Sequence, residues 1–349
     1  MPQSILPAYG LEEKSPVMEA FGSGLINNTW KIIASGDEYI LQRVNHAVFK
    51  EPENIANNIR LIGAWLREHH PDYRFISPVT TRSGEEMIYL KGEGYFRLFP
   101  FVAGSHSKDV VETPEQAYEA ATQFGRFTRL LHGIDIKKLK LTIPCFHDLT
   151  LRYEQFLMAL EKGDRDRIRE SDILIKSLIA HEGIVTEYGN IIANPEFKLR
   201  VTHHDTKISN VLFDNGGKGI CVIDLDTVMP GYFISDVGDM MRTYLSPVSE
   251  EETELDKIEV RDDFYKAIVE GYYNEMKDEL TETEKKYFFY SGVFMIYMQA
   301  LRFLTDYLNG DIYYGTKYPR HNFMRTKNQL VLLEELLKKK EILQNILSI

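Results

Sequence analysis

Cysteine is nearly absent from this 349-residue chain: Cys145 and Cys221 are the only two. Two thiols cannot build a disulfide framework or a four-thiolate metal centre, and so few fit a reducing cytoplasm. Long apolar runs are missing as well. None approaches the roughly 18 residues that a membrane helix needs. The opening stretch, MPQSILPAYGLEEKSP, has no basic start followed by an apolar run, so it does not read as a signal peptide. Positive charge is in short supply, with 41 Lys and Arg against 52 Asp and Glu, a net charge of −11. That argues against a nucleic-acid binder working by blanket attraction to phosphates. A small phosphorylated ligand held in a local pocket stays open. The acidic balance and the lack of a zipper-like repeat make a monomer the expectation.

What the chain does have is 44% hydrophobic residues, enough core for two domains or two lobes around a cleft. The first hundred residues read mainly as strands. Thr29–Ser35 and Glu38–Val44 flank Gly36-Asp37, a hairpin signal. Tyr73–Thr81, Glu86–Leu90 and Gly94–Val102 are further strand candidates. Between them Ile55, Ile59, Ile62 and Leu66 recur at helical spacing behind Pro52. At Phe99–Ser107 the pattern changes, and Pro100 and Gly104 suit a connector. Beyond it the chain is mostly helical, with helices expected near 113–134, 148–182, 234–245, 258–278, 281–309 and 322–347. Strands interrupt them only between Phe197 and Val228. The expected fold is α+β: a small antiparallel sheet lobe with one helix over residues 1–102, and a larger, mainly helical lobe over 103–349. Ligands favour such interfaces.

The chemistry concentrates in one stretch, RVTHHDTKISNVLFDNGGKGICVIDLDTVMPG, from Arg200 to Gly231. His203-His204-Asp205 is followed by Asn210 five residues after the aspartate. Two apolar segments then flank DNGGKG and should pair as a hairpin, which ends in Asp224-Leu225-Asp226. This is the H-x-D-x-x-x-x-N spacing with a later Asp at a strand end, the order of parts in kinase-fold phosphotransferases. The residue types follow from the reaction. A carboxylate must orient a substrate hydroxyl and accept its proton, which falls to Asp205. Hard oxygen donors must hold magnesium against the nucleotide phosphates, which falls to Asn210 and Asp224. His203 is expected to buttress the loop backbone, and His204 to be exposed. Adjacent histidines without cysteine support make a poor zinc site.

These motifs resemble the aminoglycoside phosphotransferase and choline kinase superfamily, whose loop commonly reads H-G-D-x-x-x-x-N. Within it HDTKISNVLFD, VIDLDTVMPG, GDMMRT, YILQRVN and RFLTDYLNGDIYY resemble the bacterial N-acetylhexosamine 1-kinases, so the likeness spans nearly the whole chain. The resemblance implies a protein-kinase-like two-lobe fold. It implies ATP- and magnesium-dependent phosphorylation of the anomeric hydroxyl of N-acetylglucosamine or N-acetylgalactosamine. Asp205 would be the base, Asn210 and Asp224 the metal ligands, and Asp226 a further metal or sugar contact. Asp236 matches the position that holds the catalytic loop from behind, a role compatible with capping the following helix. Kinases of the same fold acting on choline, ethanolamine, homoserine or aminoglycosides are the alternatives, with a non-catalytic binding module behind them.

On the nucleotide side, Gly22 and Gly24 would let the backbone approach phosphates, and Asn27, Asn28 and Thr29 could add hydrogen bonds. The strand YILQRV offers Arg43 as the phosphate cation where protein kinases carry lysine. Alternation puts Tyr39, Leu41 and Arg43 on one face and Gln42 on the other, without saying which face meets the cleft. Glu51 and Glu53 are candidate partners of Arg43. Adenine is expected against Phe99–Val102, and because Pro100 has no N–H, Phe101 or Val102 must supply any backbone donor. On the acceptor side, His147, Arg242, Arg302 and Asp306 are the candidates for holding the sugar. Arg302 and Asp306, four apart, could equally form an ordinary surface ion pair. The partners expected are therefore ATP and a small sugar, with neither membrane nor nucleic acid.

Overall fold

The computed structural model describes residues 3–11, 16–22, 27–34 and 36–346. The chain forms two compact units. The first takes in residues 1–106, 133–144 and 212–230, and the second 107–132, 145–211 and 231–349.

The first unit is built on a five-stranded antiparallel sheet. Its strands are β1 (Val17–Ala20), β2 (Asn28–Ala34), β3 (Asp37–Val44), β4 (Ile88–Leu90) and β5 (Gly94–Pro100), in the spatial order β1-β2-β3-β5-β4. Gly36, at φ +88°, makes the turn between β2 and β3, where only glycine adopts such a backbone without strain. Leu41 pairs with Trp30 on one side and Leu98 on the other, and Gln42 pairs with Arg97. Ile32, Ala34, Leu41, Phe96 and Leu98 are buried on one sheet face together with Ile5 and Leu6 of the short helix Gln3–Tyr9. Helix α1 (Pro52–His69) buries the expected Ile55, Ile59, Ile62 and Leu66.

One strand candidate does not form. Tyr73–Thr81 contributes a single bridge, Val79 to Leu98, in place of a ladder. Pro78 has no N–H to donate, and a proline within a run breaks a regular strand. The hairpin after Asn210 does form, as β6 (Arg200–Thr202) is followed by β7 (Val211–Phe213) pairing β8 (Gly219–Val222), and β9 (Met229–Gly231) follows.

The second unit is mainly helical. Helix α2 (Pro114–Leu130) starts where Thr113 accepts from the Gln116 N–H and Pro114 occupies the first turn. The helical stretch expected at 148–182 is divided into α3 (Leu149–Lys162), α4 (Arg165–Glu170) and α5 (Asp172–Ala180), and α6 (Gly183–Ala193) follows. Gly163 closes α3, and the Asp164 side chain caps α4 through the N–H groups of Asp166 and Arg167. Beyond β9 come α7 (Phe233–Tyr244), α8 (Asp262–Met276), α9 (Phe288–Leu308), α10 (His321–Lys338) and α11 (Lys340–Leu343). Helix α9 is buried along most of its length, with α3, α7 and α10 packed around it. This antiparallel sheet unit and helical unit make the α+β, protein-kinase-like fold. No described helix is long and apolar enough to cross a membrane.

Candidate active site

The loop after β6 is held by two carboxylates from α7, one turn apart. Asp236 accepts the His203 N–H through Oδ2 at 2.9 Å and the His204 N–H through Oδ1 at 2.8 Å. Asp239 accepts the Thr206 N–H at 2.7 Å, and the Thr206 hydroxyl donates to the Asp236 carbonyl. Burial pushes the Asp236 carboxyl up to about 7, against the pull of the two N–H bonds. Asp236 thus stands where the sequence put it, behind the loop. Asp239 was missed, although an acid three residues on lies on the same helix face.

This scaffold presents Asp205. Burial works against its charge, but Lys207, with Nζ 3.0 Å from Oδ2, outweighs it together with His203 and Asn210. The carboxyl is held below its ordinary value and is ionised at neutral pH. Asn210 Nδ2 donates to the Asp205 carbonyl at 2.8 Å, which fixes the amide and leaves Oδ1 as the atom with metal-ligand chemistry. The His203 ring lies edge-on to Phe124 and Phe127 of α2 with no exposure.

His204 differs from the exposed residue expected: it is buried, at 5% exposure, and its backbone is left-handed at φ +65°. Its ring occupies space opened by Gly231, where an added Cβ would lie 2.4 Å from Nε2 and 2.3 Å from Thr202 Oγ1. His147 sits 5.2 Å from the His204 ring and stacks on Phe146. Burial, with His204, Arg302, Arg242 and Arg152 nearby, holds the His147 imidazole well below its ordinary range, so it is neutral.

Arg302 lies 5.5 Å over Phe146 and borders a cavity of about 430 Å³ between α3 and α9, lined also by Arg152, Lys162, Asp306, Tyr313 and Tyr314. The Arg302–Asp306 ion pair weighed from their spacing does not form. Asp306 is buried and accepts the N–H groups of Tyr313 and Tyr314 and the Asn322 amide. Arg302 bonds Gln299 and lies over the Tyr313 and Tyr314 rings, at 5.8 and 5.4 Å. Arg242 is turned to Asp239 and Glu250, with ion pairs at 3.0 and 2.5 Å. Its guanidinium therefore braces the carboxylate that holds the loop.

The nucleotide-side candidates lie in the first unit. Gly24 falls outside the described residues. Gly22 is left-handed at φ +79° with open space around it, Asn28 pairs with Arg43, and Thr29 pairs with Gln42. Phe101 N–H donates to the Glu38 carbonyl at 3.0 Å, so of the two connector amides Val102 is the one left for a ligand. Lys31 lies 4.2 Å over the Phe101 ring, and Phe99 carries the Arg97 guanidinium at 5.1 Å.

Arg43 shares the sheet face of the core. Leu41, fully buried in the core, fixes which face of β3 looks inward. Alternation then places Arg43 on that same face, with Nε 3.6 Å from the Cβ position of Gly94. The opposite face carries Gln42 and the partner strand's Arg97, whose guanidinium meets Asp226 at 2.5 Å. Asp226, expected to touch metal or sugar, is 2% exposed and also accepts from Asn27 at 2.8 Å. Its Oδ2 accepts from Asn27, while its Oδ1 meets Arg97 as an ion pair without hydrogen-bond geometry. Asp224 is left-handed, at φ +58°, a strained conformation that concentrates at functional sites.

Solved structures share this fold. A microcompartment-associated aminopropanol kinase matches at 16% identity and a TM-score of 0.66, over 98% of each chain. An aminoglycoside phosphotransferase from Alicyclobacillus acidocaldarius matches at 13% identity and a TM-score of 0.64, over 100% of this chain and 97% of that one. An amicoumacin kinase in complex with AMP-PNP and Ca2+ matches at 14% identity and a TM-score of 0.60, over 91% and 88%. The model of the phosphotransferase enzyme family (APH) matches residues 17–273, which take in the sheet, the H-x-D-x-x-x-x-N loop, Asp224 and α7, and the chain belongs to that family.

Proposed function

We propose that this phosphotransferase is an ATP- and magnesium-dependent kinase that phosphorylates the anomeric hydroxyl of an N-acetylhexosamine, giving the sugar 1-phosphate. Asp205 accepts the hydrogen bond of the acceptor hydroxyl and takes its proton as the phosphoryl group transfers. The backbone clamp from Asp236 and Asp239 fixes its direction, so catalysis is mainly positioning. Gly22, Thr29 and Val102 are the nucleotide contacts that the backbone geometry favours. Asn210 Oδ1 and the Asp224 carboxylate are hard oxygen donors suited to magnesium, which shares its shell with waters and phosphate oxygens. When bound, the metal neutralises charge on the phosphates. The AMP-PNP and Ca2+ carried by the amicoumacin kinase support nucleotide and divalent-cation use in this fold.

The acceptor class rests on the cavity beside α3 and α9. Its lining carries Arg152, Lys162 and Arg302 against Asp306 alone, and that carboxylate is taken up by two backbone N–H groups and Asn322. A cationic acceptor finds no free carboxylate among these residues. Arg302 lies over one side of the Tyr313 and Tyr314 rings, and its charge opposes a quaternary ammonium beside them. A neutral sugar suits the lining: an acetamido carbonyl and ring hydroxyls can accept from the guanidinium groups, and Tyr313 offers an exposed ring. This disfavours choline, ethanolamine, aminopropanol and aminoglycosides.

The test is a turnover panel with ATP and magnesium. N-acetylglucosamine or N-acetylgalactosamine is expected to be phosphorylated at least tenfold more efficiently than choline, ethanolamine, aminopropanol or an aminoglycoside. Turnover confined to the amines would sink the sugar assignment. Absence of both turnover and nucleotide binding would point to a binding module.

A further inference from the structure

A lone arginine stands inside an apolar strand. In β5, Gly94–Pro100, every residue but Arg97 is apolar or aromatic, and Arg97 is 1% exposed. Taking a guanidinium out of water costs several kcal/mol unless it is paired. Its Nε and Nη2 donate to Gln42 Oε1 at 3.1 and 2.8 Å, and Nη2 meets Asp226 Oδ1 at 2.5 Å. Nη1 and Asp226 Oδ1 have no hydrogen-bond partner among the described residues, and a buried polar atom left unsatisfied is costly. Stability alone does not explain such an arrangement, because apolar pairs of similar volume are often as stable as buried ion pairs.

The placement of the partner supplies a reason. Asp226 lies two residues after Asp224, whose φ of +58° and ψ of +62° are left-handed. For a residue other than glycine such a conformation is strained and persists only where the surroundings over-determine it. The segment is held at two points. Asp226 is gripped by Arg97 and, at 2.8 Å, by Asn27, whose own Oδ1 accepts the Asn45 N–H. Val228 is gripped through its carbonyl by Asn58 of α1 at 2.9 Å, and Asn58 is locked in turn by two hydrogen bonds to the Lys140 backbone.

We infer that the buried Arg97–Asp226 pair is a positioning clamp that fixes the strained Asp224 for metal binding. Arg97 carries Gln42 and the central sheet into the turn, and the pair occupies the sheet face that Arg43 does not reach. The inference rests on the proposed assignment of Asp224 as a magnesium ligand.

The test measures ADP binding by calorimetry with and without magnesium, in the unaltered protein and in Arg97→Met. The metal-dependent gain in ADP affinity is expected to fall at least tenfold in the variant, while metal-free ADP affinity stays within about twofold. Arg97→Lys is expected to keep most of the gain. Since Arg97→Met leaves Asp226 buried and alone, the double variant Arg97→Met with Asp226→Leu, which removes both charges, is measured beside it and is expected to lose the same gain. A metal response equal to that of the unaltered protein in the folded double variant would overturn the clamp. So would an equal loss with and without metal, which would mean that Arg97 acts on the phosphates themselves. If magnesium leaves ADP affinity unchanged in the unaltered protein, the metal role of Asp224 fails first and the clamp falls with it.

Discussion

Asp205 and Lys207 show how a single contact tunes the carboxylate proposed as the base. The Lys207 ammonium lies 3.0 Å from Oδ2 and is the largest of the influences that lower the Asp205 carboxyl against its burial. In the proposed role Asp205 must be ionised to take the acceptor hydroxyl's proton, so activity is expected to fall when acid protonates it. A lowered carboxyl moves that acidic limb of the kcat/KM profile below the ordinary aspartate value of 3.8. Lys207→Met removes the nearest cation, and the limb is expected to move to higher pH. The position of the limb decides the matter, not the height of the plateau, since Lys207 could also be felt by the nucleotide phosphates. A limb that stays in place would show that another group sets it.

At the scale of elements, the catalytic loop depends on an exchange between two positions. The superfamily motif that the loop resembles has glycine where this chain has His204. Here the left-handed backbone carries an imidazole, and the room for it comes from Gly231, at the end of β9. Gly231→Ala would place a Cβ 2.4 Å from Nε2, closer than side chains tolerate, while the Asp236 carboxylate holds the His204 backbone in place. The loop must then shift, and kcat/KM is expected to drop about tenfold or more, equivalent to roughly 1.4 kcal/mol in the barrier. The same Cβ would lie 2.3 Å from Thr202 Oγ1, so adding both His204→Gly and Thr202→Ala, which removes the two clashing groups, is expected to restore most of the loss. A combined variant no better than Gly231→Ala with Thr202→Ala would refute the exchange.

The same scale shows what the sequence could convey. Alternation and a capping Thr-Pro pair announced β2, β3, β5 and α2 because those signals are local. The spacing of Asp205 and Asn210 was legible because the loop is short. Gly231 was not, since only a fold brings it to His204. The face of Arg43 depended on which side of β3 met the helix Gln3–Tyr9, which alternation alone leaves open. Arg97 did leave a trace, a single cation in the apolar run GYFRLFPF, and a buried charge of that kind demands a partner.

For the molecule as a whole, an acidic chain keeps its C-terminal helices together by concentrating cations on few carboxylates. Glu251 is the clearest case. It meets Lys317 at 2.9 Å, His321 at 2.8 Å and the Arg325 guanidinium, tying the segment after α7 to α10 and the loop before it. Burial raises its carboxyl, but Lys317, Arg325 and His321 together lower it from 4.5 to about 2. A carboxyl depressed in the folded state stabilises it above the unfolded value and loses that contribution as acid protonates it. The contribution of Glu251 is therefore complete above about pH 4.5 and fades as the pH falls toward 2. Glu251→Gln is expected to lower Tm at neutral pH, and the gap between the two proteins is expected to shrink through that window. Both proteins are compared at each pH and differ only at residue 251, so the loss of the gap reports protonation of Glu251 itself. Melting curves recorded in steps from pH 6 to pH 2 decide it: a gap that stays constant down to pH 2 would mean that Glu251 stabilises the helices by packing and neutral hydrogen bonds, not by its charge.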